Sequence, residues 1–257
     1  MSARHHRQVA PFLFAAAALV ALTAGCSSSA SDAAAGPPAS VAPSEPSSSD
    51  APRCPNSHGG SCLGLLDAGE YRTTTFDPET TYTVPDGWMN MEDLPGNFQL
   101  YREDDAAGQT TARGGSYLGI YTNVHAAAID CREAWQEEVG HTPTDLVAWY
   151  QSVPGLIVSE PEPVTVGGLD GLQLDVELEP GDDTCDYGGN LGIPLFIGDG
   201  VSEVHHAILE EMDIRLVLLA WGDGNLTLEI TNVREQHSAE EFRSQVQSIV
   251  DSLGFAE

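Results

Sequence analysis

The sequence predicts an α+β domain, mainly antiparallel β-sheet with two or three helices packed on it, one of them at the C-terminus. Three observations carry this. Leu172, Leu174, Val176 and Leu178 alternate with Gln173, Asp175 and Glu177, the period of a strand with one wet face. Apolar runs follow one another across short turns such as Gly198-Asp199-Gly200 and Gly222-Asp223-Gly224-Asn225, which favours hairpins and therefore antiparallel pairing. Phe242, Val246, Ile249, Val250 and Leu253 repeat at helical spacing near the chain end. Runs of strands with few helices place those helices together on one face of the sheet.

In chain order, Met1 to Arg7 is a short basic region, and an apolar run continues to Leu22. As a helix that run reaches about 21 Å, short of the roughly 30 Å hydrocarbon core, so it reads as an export signal and not a span. It ends in Leu22-Thr23-Ala24-Gly25-Cys26. This stretch resembles the lipobox of bacterial lipoproteins. The resemblance implies cleavage after residue 25 and a diacylglycerol thioether on Cys26, often with a further acyl chain such as palmitate; two or more chains are needed for stable anchoring. Residues 1–25 are then the signal peptide, and the mature protein sits on the outer face of the bacterial cell membrane, its membrane contact made by the lipid.

Residues 26–53 are the lipidated Cys and a Ser/Ala/Pro/Gly tether, too poor in apolar side chains to form a core and therefore expected to be disordered. As a flexible coil such a stretch spans about 30 Å. Residues 54–257 are expected to form one α+β domain.

Within that domain the strand-like runs are 70–76, 80–84, 97–102, 116–122, 156–159, 164–166, 172–178, 191–197, 203–209, 214–220 and 225–231. Pro85-Asp86-Gly87 and Gly167-Gly168-Leu169-Asp170-Gly171 read as turns, and Trp88 beside the first as a core anchor. Thr142-Pro143-Thr144-Asp145 supplies an N-cap, a Pro at the first helical position and an acid at the third, and Leu146, Trp149, Tyr150 and Val153 then share a face. A shorter helix is expected over 130–139. For the last helix, Ser238-Ala239-Glu240-Glu241 is a capping box and Gly254 stands where a C-terminal cap belongs. Glu240 and Arg243 lie off its apolar stripe and should tolerate Ala.

Tyr82-Thr83-Val84-Pro85-Asp86-Gly87-Trp88, Val164 to Gly171 and Ser248 to Phe255 resemble recurring phrases of secreted actinobacterial lipoproteins, a group to which no activity is attached. That resemblance implies a location and an architecture. Its motifs carry turns and core.

The chain holds 10 Lys+Arg, all of them Arg, against 39 Asp+Glu, a net charge of −29. So acidic a surface repels phosphate and argues against nucleic acid as a partner; it would draw divalent cations, basic peptides or amines, but solubility in a cell wall or tolerance of salt is the favoured reading. Cys54, Cys62, Cys131 and Cys185 form an even set in an exported chain and read as two disulfides, Cys54 with Cys62 and Cys131 with Cys185.

Catalytic signatures are missing. Gly114-Gly115-Ser116-Tyr117-Leu118-Gly119 does not have the spacing of a nucleophile elbow, and there is no HExxH, no SxxK and no Lys for a phosphate loop. No catalytic or cofactor-binding residue is assigned. Metal candidates are His205 and His206 with Glu203 and Glu210, whose two imidazoles would point to opposite faces of a strand. A Ca²⁺ candidate is the acidic, Gly-rich loop Asp182-Asp183-Thr184-Cys185-Asp186-Tyr187-Gly188-Gly189-Asn190, which lacks EF-hand spacing. The reading is a non-enzymatic binding or accessory module for an unknown protein or small molecule. The alternative is an extracytoplasmic hydrolase whose residues, drawn from His58, His125, His141, His205, His206 and His237 among others, form no motif.

Non-reducing peptide mapping should recover a Cys54–Cys62 peptide; a Cys54–Cys131 or Cys54–Cys185 peptide would overturn the pairing.

Overall fold

The computed structural model describes residues 63–106, 115–179, 181, 185–198, 206–234 and 236–256. The expected signal peptide, Cys26, the tether, Cys54 and Cys62 lie outside them. The elements are β1 (Gly64–Leu66), β2 (Gly69–Arg72), β3 (Thr80–Val84), β4 (Trp88–Leu94), β5 (Asn97–Arg102), the one-turn helix α1 (Glu103–Ala106), β6 (Tyr117–Thr122) and β7 (His125–Ala126). Then come α2 (Pro143–Tyr150), β8 (Leu156–Val158), β9 (Glu162–Val166), β10 (Leu169–Leu178), β11 (Cys185–Tyr187), β12 (Asn190–Ile197) and β13 (His206–Leu209). The chain closes with β14 (Met212–Trp221), β15 (Gly224–Val233), α3 (Ala239–Val250) and β16 (Gly254–Phe255).

Among the described residues these strands form three antiparallel sheets. The largest runs β1-β4-β5-β6-β15-β14-β10-β8, with β9 also on β10; a second is β11-β12-β13 with β7 on β12; the third is β16-β3-β2. The β14–β15 hairpin turns on Gly222 and Asp223, with Gly222 at φ +55°, and pairs Trp221 with Gly224. Its register runs unbroken to Met212 and Val233. The pairing that makes the large sheet continuous is non-local: β6 lies against β15, Gly119 opposite Glu229 and Tyr121 opposite Thr227.

The helices do not share a face, contrary to the sequence expectation. Val217 and Leu219 of β14 and Leu226, Leu228 and Ile230 of β15 pack with Phe242, Val246 and Ile249 of α3 and with Tyr82 and Val84 of β3. On the other side, Leu216 and Leu218 pack with Leu174 and Val176 of β10, Leu146 and Tyr150 of α2, and Ile193, Phe196 and Ile208 of the second sheet. The physical reason is in the run Leu216-Val217-Leu218-Leu219, apolar at every position. A strand without a wet face must be covered twice.

Helix α2 starts as expected, with the Thr142 hydroxyl accepting from the Asp145 amide, the Asp145 side chain returning to the Thr142 amide and Pro143 in the first turn. In α3 the Ser238 half of the box is in place, its Oγ accepting from the Glu241 amide at 3.2 Å. Three expectations fail. Residues 130–139 are irregular, because a β-bridge between Ala127 and Trp135 and a disulfide at Cys131 fold that stretch back on the sheet. Gly254 is no helix cap; it begins β16 and pairs with Thr81, and the helix ends on Asp251. Arg243 is not a bystander, since its Nη2 lies 3.2 Å from Asp175 Oδ1, a carboxylate that Arg215 also grips at 2.8 and 3.0 Å.

Phe242 is fully buried, its ring 6.4 Å from that of Trp88. Phe242→Ala is expected to cost about 3–5 kcal/mol, whereas exposed Glu240→Ala should stay within about 0.5, with Arg243→Ala between them. Thermal unfolding of the full chain decides it, and equal losses at Phe242 and Glu240 would mean that α3 does not pack on the sheet.

Candidate functional site

Strand β15 is buried along its whole length, and the face opposite α3 carries Asn225, Thr227, Glu229 and Thr231. Read from sequence, these alternate positions look like a wet face. In the fold they are sealed beneath the second sheet, so each polar group needs a partner inside the protein. Glu229 Oε2 lies 2.8 Å from His206 Nδ1, and its Oε1 accepts from Thr231 Oγ1 at 3.0 Å. The His206 ring stacks on Phe196 at 4.4 Å and meets the edge of Tyr121 at 4.2 Å. Tyr121 reaches this position because residue 119 is Gly: a Cβ there would come within 2.1 Å of the Tyr121 hydroxyl. Its phenol oxygen accepts from Gln99 Nε2 at 3.0 Å, and Gln99 Oε1 in turn accepts from Tyr101 at 3.1 Å.

Burial raises the phenol pKa of Tyr117 and Tyr121 well above the usual value, and the nearby Glu229 pushes in the same direction. Tyr150 is raised by the same two causes. All three phenols therefore stay protonated, and that of Tyr150 is buried with no hydrogen-bond partner among the described residues. His206 Nε2 has no hydrogen-bond partner among the described residues. With exposures of 2% for His206 and 1% for Glu229, this pair is closed to a dissolved substrate in the conformation described. The hydrolase reading requires a His and an acid gathered at an open pocket; here the two are joined across a sheet-to-sheet interface.

Of the metal candidates, His205, Glu203, Asp182 and Asp183 lie outside the described residues. Asp186 is exposed on β11, where its Oδ1 accepts from the Gly189 amide at 2.5 Å and closes the turn into β12. Glu210 is exposed in the β13–β14 turn and uses its carbonyl, not its carboxylate, to accept from Arg234 at 3.1 Å. Among the described residues no group of three or more His, Cys, Asp or Glu is placed to hold a metal ion.

An open site lies elsewhere, on residues that the sequence assigned to a helix. The stretch from Val124 to His141 is clamped at both ends by Asn225, whose Nδ2 donates to Val124 O at 2.9 Å and to His141 O at 2.7 Å and whose Oδ1 accepts from the Val124 amide at 3.2 Å. Its middle is tied to the second sheet by Ala127 N to Leu195 O at 3.2 Å and by the Cys131–Cys185 disulfide, as the sequence pairing expected. Trp135 is 54% exposed, one ring face held 5.0 Å from the His125 ring; His125 is braced edge-on by His141 at 4.8 Å. The indole forms part of a shallow open pocket with Glu133, Ala134, Glu137 and Ile197. Ile129, on the same segment, is 39% exposed. Arg132 is engaged by Asp130 at 2.6 Å, which holds that carboxyl below its usual range. The nearest sequence clue was an unplaced Trp in a polar stretch between Cys131 and Gly140.

No family model matches the chain, and no curated protein matches it. Solved structures similar in backbone include the cyanobacterial PsbP (CyanoP) of Synechocystis sp. PCC 6803, at 13% identity and a TM-score of 0.39 over 77% of this chain and 98% of that one. Another is a protein of Bacteroides thetaiotaomicron VPI-5482, at 11% identity and a TM-score of 0.36 over 75% of this chain; the match spans 50% of that chain's length. At these scores neither likeness bears on function.

Breaking the His206–Glu229 pair should be costly and removing it whole should not. Glu229→Leu alone strands a buried imidazole and is expected to cost about 3 kcal/mol. Adding His206→Phe should restore much of that loss. Denaturant unfolding of the single and double variants tests it, and a double variant less stable than Glu229→Leu would show that the pair is not the constraint.

Proposed function

We propose that this protein is an extracytoplasmic accessory module, held at the outer face of the cell membrane by lipid on Cys26, that binds a partner through the surface around Trp135. The observation that carries the reading is an indole exposed at 54% on a segment fixed at both ends and cross-linked in the middle. Large exposed aromatics on a rigid support are characteristic of recognition surfaces, because they bury much area at small entropic cost. The address is supported by Leu22-Thr23-Ala24-Gly25-Cys26 and by the disulfide, since such bonds persist in oxidising compartments. Among the described residues no helix is long and apolar enough to cross a membrane.

Two measurements test the two halves. In cells, Cys26→Ser should leave the protein in the soluble fraction; a processed variant still partitioning with membrane would remove the anchor. A photoreactive benzoylphenylalanine at position 135 should give an adduct in the cell envelope, while the same residue at exposed Ile157 on β8 should not. Equal labelling at both positions, or none at 135, would remove the binding surface.

A further inference from the structure

We infer that the Trp135 pocket takes a guanidinium or ammonium group, and that its occupant is an arginine- or lysine-bearing segment of a partner protein. The inference rests on the binding reading above and names the chemistry of the same surface. Three features of the pocket converge on an organic cation. Its one aromatic wall, Trp135, is the side chain with the strongest attraction for a cation over its ring face. Its two charged walls, Glu133 and Glu137, are both carboxylates, and among the described residues no basic side chain lines it. Among the described residues neither carboxylate is in an ion pair; the neighbouring cation, Arg132, is taken up by Asp130. The remaining wall, Ile197, is apolar and half-buried, a surface on which the methylene stem of Arg or Lys can lie while its head reaches the acids.

Other ligand classes fit worse. An anion would meet two carboxylates on a chain of net charge −29. A neutral apolar group large enough to cover the indole would strip water from Glu133 and Glu137 and give nothing back, a desolvation cost that outweighs the area gained. A cation gains from the ring and the carboxylates together, and the field of the whole acidic chain draws it in.

The choice between a free cation and a peptide follows from shape. The pocket is open and lined by five residues, a wall that does not enclose a small ion. The segment that carries the pocket also exposes Glu138 and, at 39%, Ile129. A polypeptide can use the pocket for one side chain and the surroundings for its neighbours. Arg suits it better than Lys, because a planar guanidinium stacks on an indole while pairing with a carboxylate.

The test uses the full chain in a non-ionic detergent and a fluorescein-labelled peptide of alternating Arg and Gly, followed by polarisation. Binding should be saturable and weakened by salt. Trp135→Ala and the pair Glu133→Gln with Glu137→Gln should each weaken it by about tenfold, and Trp135→Phe by less. Glu160→Gln with Glu179→Gln removes the same charge from exposed positions elsewhere and should change affinity by less than about twofold. Thermal unfolding of each variant confirms that the fold is kept. The inference is overturned if the distant pair weakens binding as much as the local pair, or if Trp135→Ala leaves it unchanged. It is equally overturned if arginine amide alone binds as tightly as the peptide, or if the peptide does not bind. A photoadduct at position 135 with a partner lacking a basic segment would keep the binding surface and remove the cation assignment.

Discussion

Strand β15 is hydrogen-bonded to β6 on one edge and β14 on the other, and it is buried on both faces from Gly224 to Val233. Its polar side chains are therefore answered from within, Asn232 Oδ1 excepted, which has no partner among the described residues. An unpaired buried polar group costs about 1–3 kcal/mol, and this strand carries several. Much of the molecule's architecture is the set of answers. Glu229 is met by His206 from the second sheet and by Thr231 beside it; Thr227 donates to Asn225 at 2.9 Å; Ser116 Oγ accepts from the Val233 amide at 3.0 Å. The Glu229 contact also spans the two sheets, so satisfying the carboxyl positions β13.

The same requirement builds the exposed site. Asn225 sits at the start of β15 with a buried amide, and its side chain is satisfied by the backbone of Val124 and His141. Those two residues bracket the loop that holds Trp135. A packing demand in the core thus fixes the ends of a surface segment, and the disulfide fixes its middle. The indole is presented without a helix or strand of its own beneath it. A floppy loop would leave the aromatic free to collapse onto the sheet; here His125 stacks on the indole, which stays 54% exposed.

Charge is handled differently inside and outside. Where an acid is withdrawn from solvent it is matched in detail: buried Asp93 accepts the amides of Thr74, Thr75 and Phe76 at 2.9, 3.2 and 2.7 Å, and half-buried Asp175 is shared by Arg215 and Arg243. The Asp175 contacts draw on Arg side chains, of which the chain has 10 against 39 Asp+Glu. Most acids must therefore face solvent. Glu133 and Glu137 belong to that excess, and their placement beside an indole is what separates them from a merely solubilising surface.

The residues themselves determined the local elements. The alternation at 172–178 is β10, the periods at 80–84 and 97–102 coincide with β3 and β5, and the caps at Thr142 and Ser238 start α2 and α3, because these patterns depend on neighbours a few positions away. Strand β4 was illegible for a physical reason: a bulge between Asn90 and Glu92 breaks its period of two, and Asn90 and Asp93 are buried where polarity predicts exposure. The helix expected at 130–139 lost to a disulfide and a bridge formed with residues elsewhere in the chain. Only the tertiary structure decided that α2 and α3 lie on opposite faces, that Glu229 faces His206 and that Trp135 stays outside. Each of these rests on contacts between residues far apart in the sequence, and local periodicity is silent about what will cover a strand's second face.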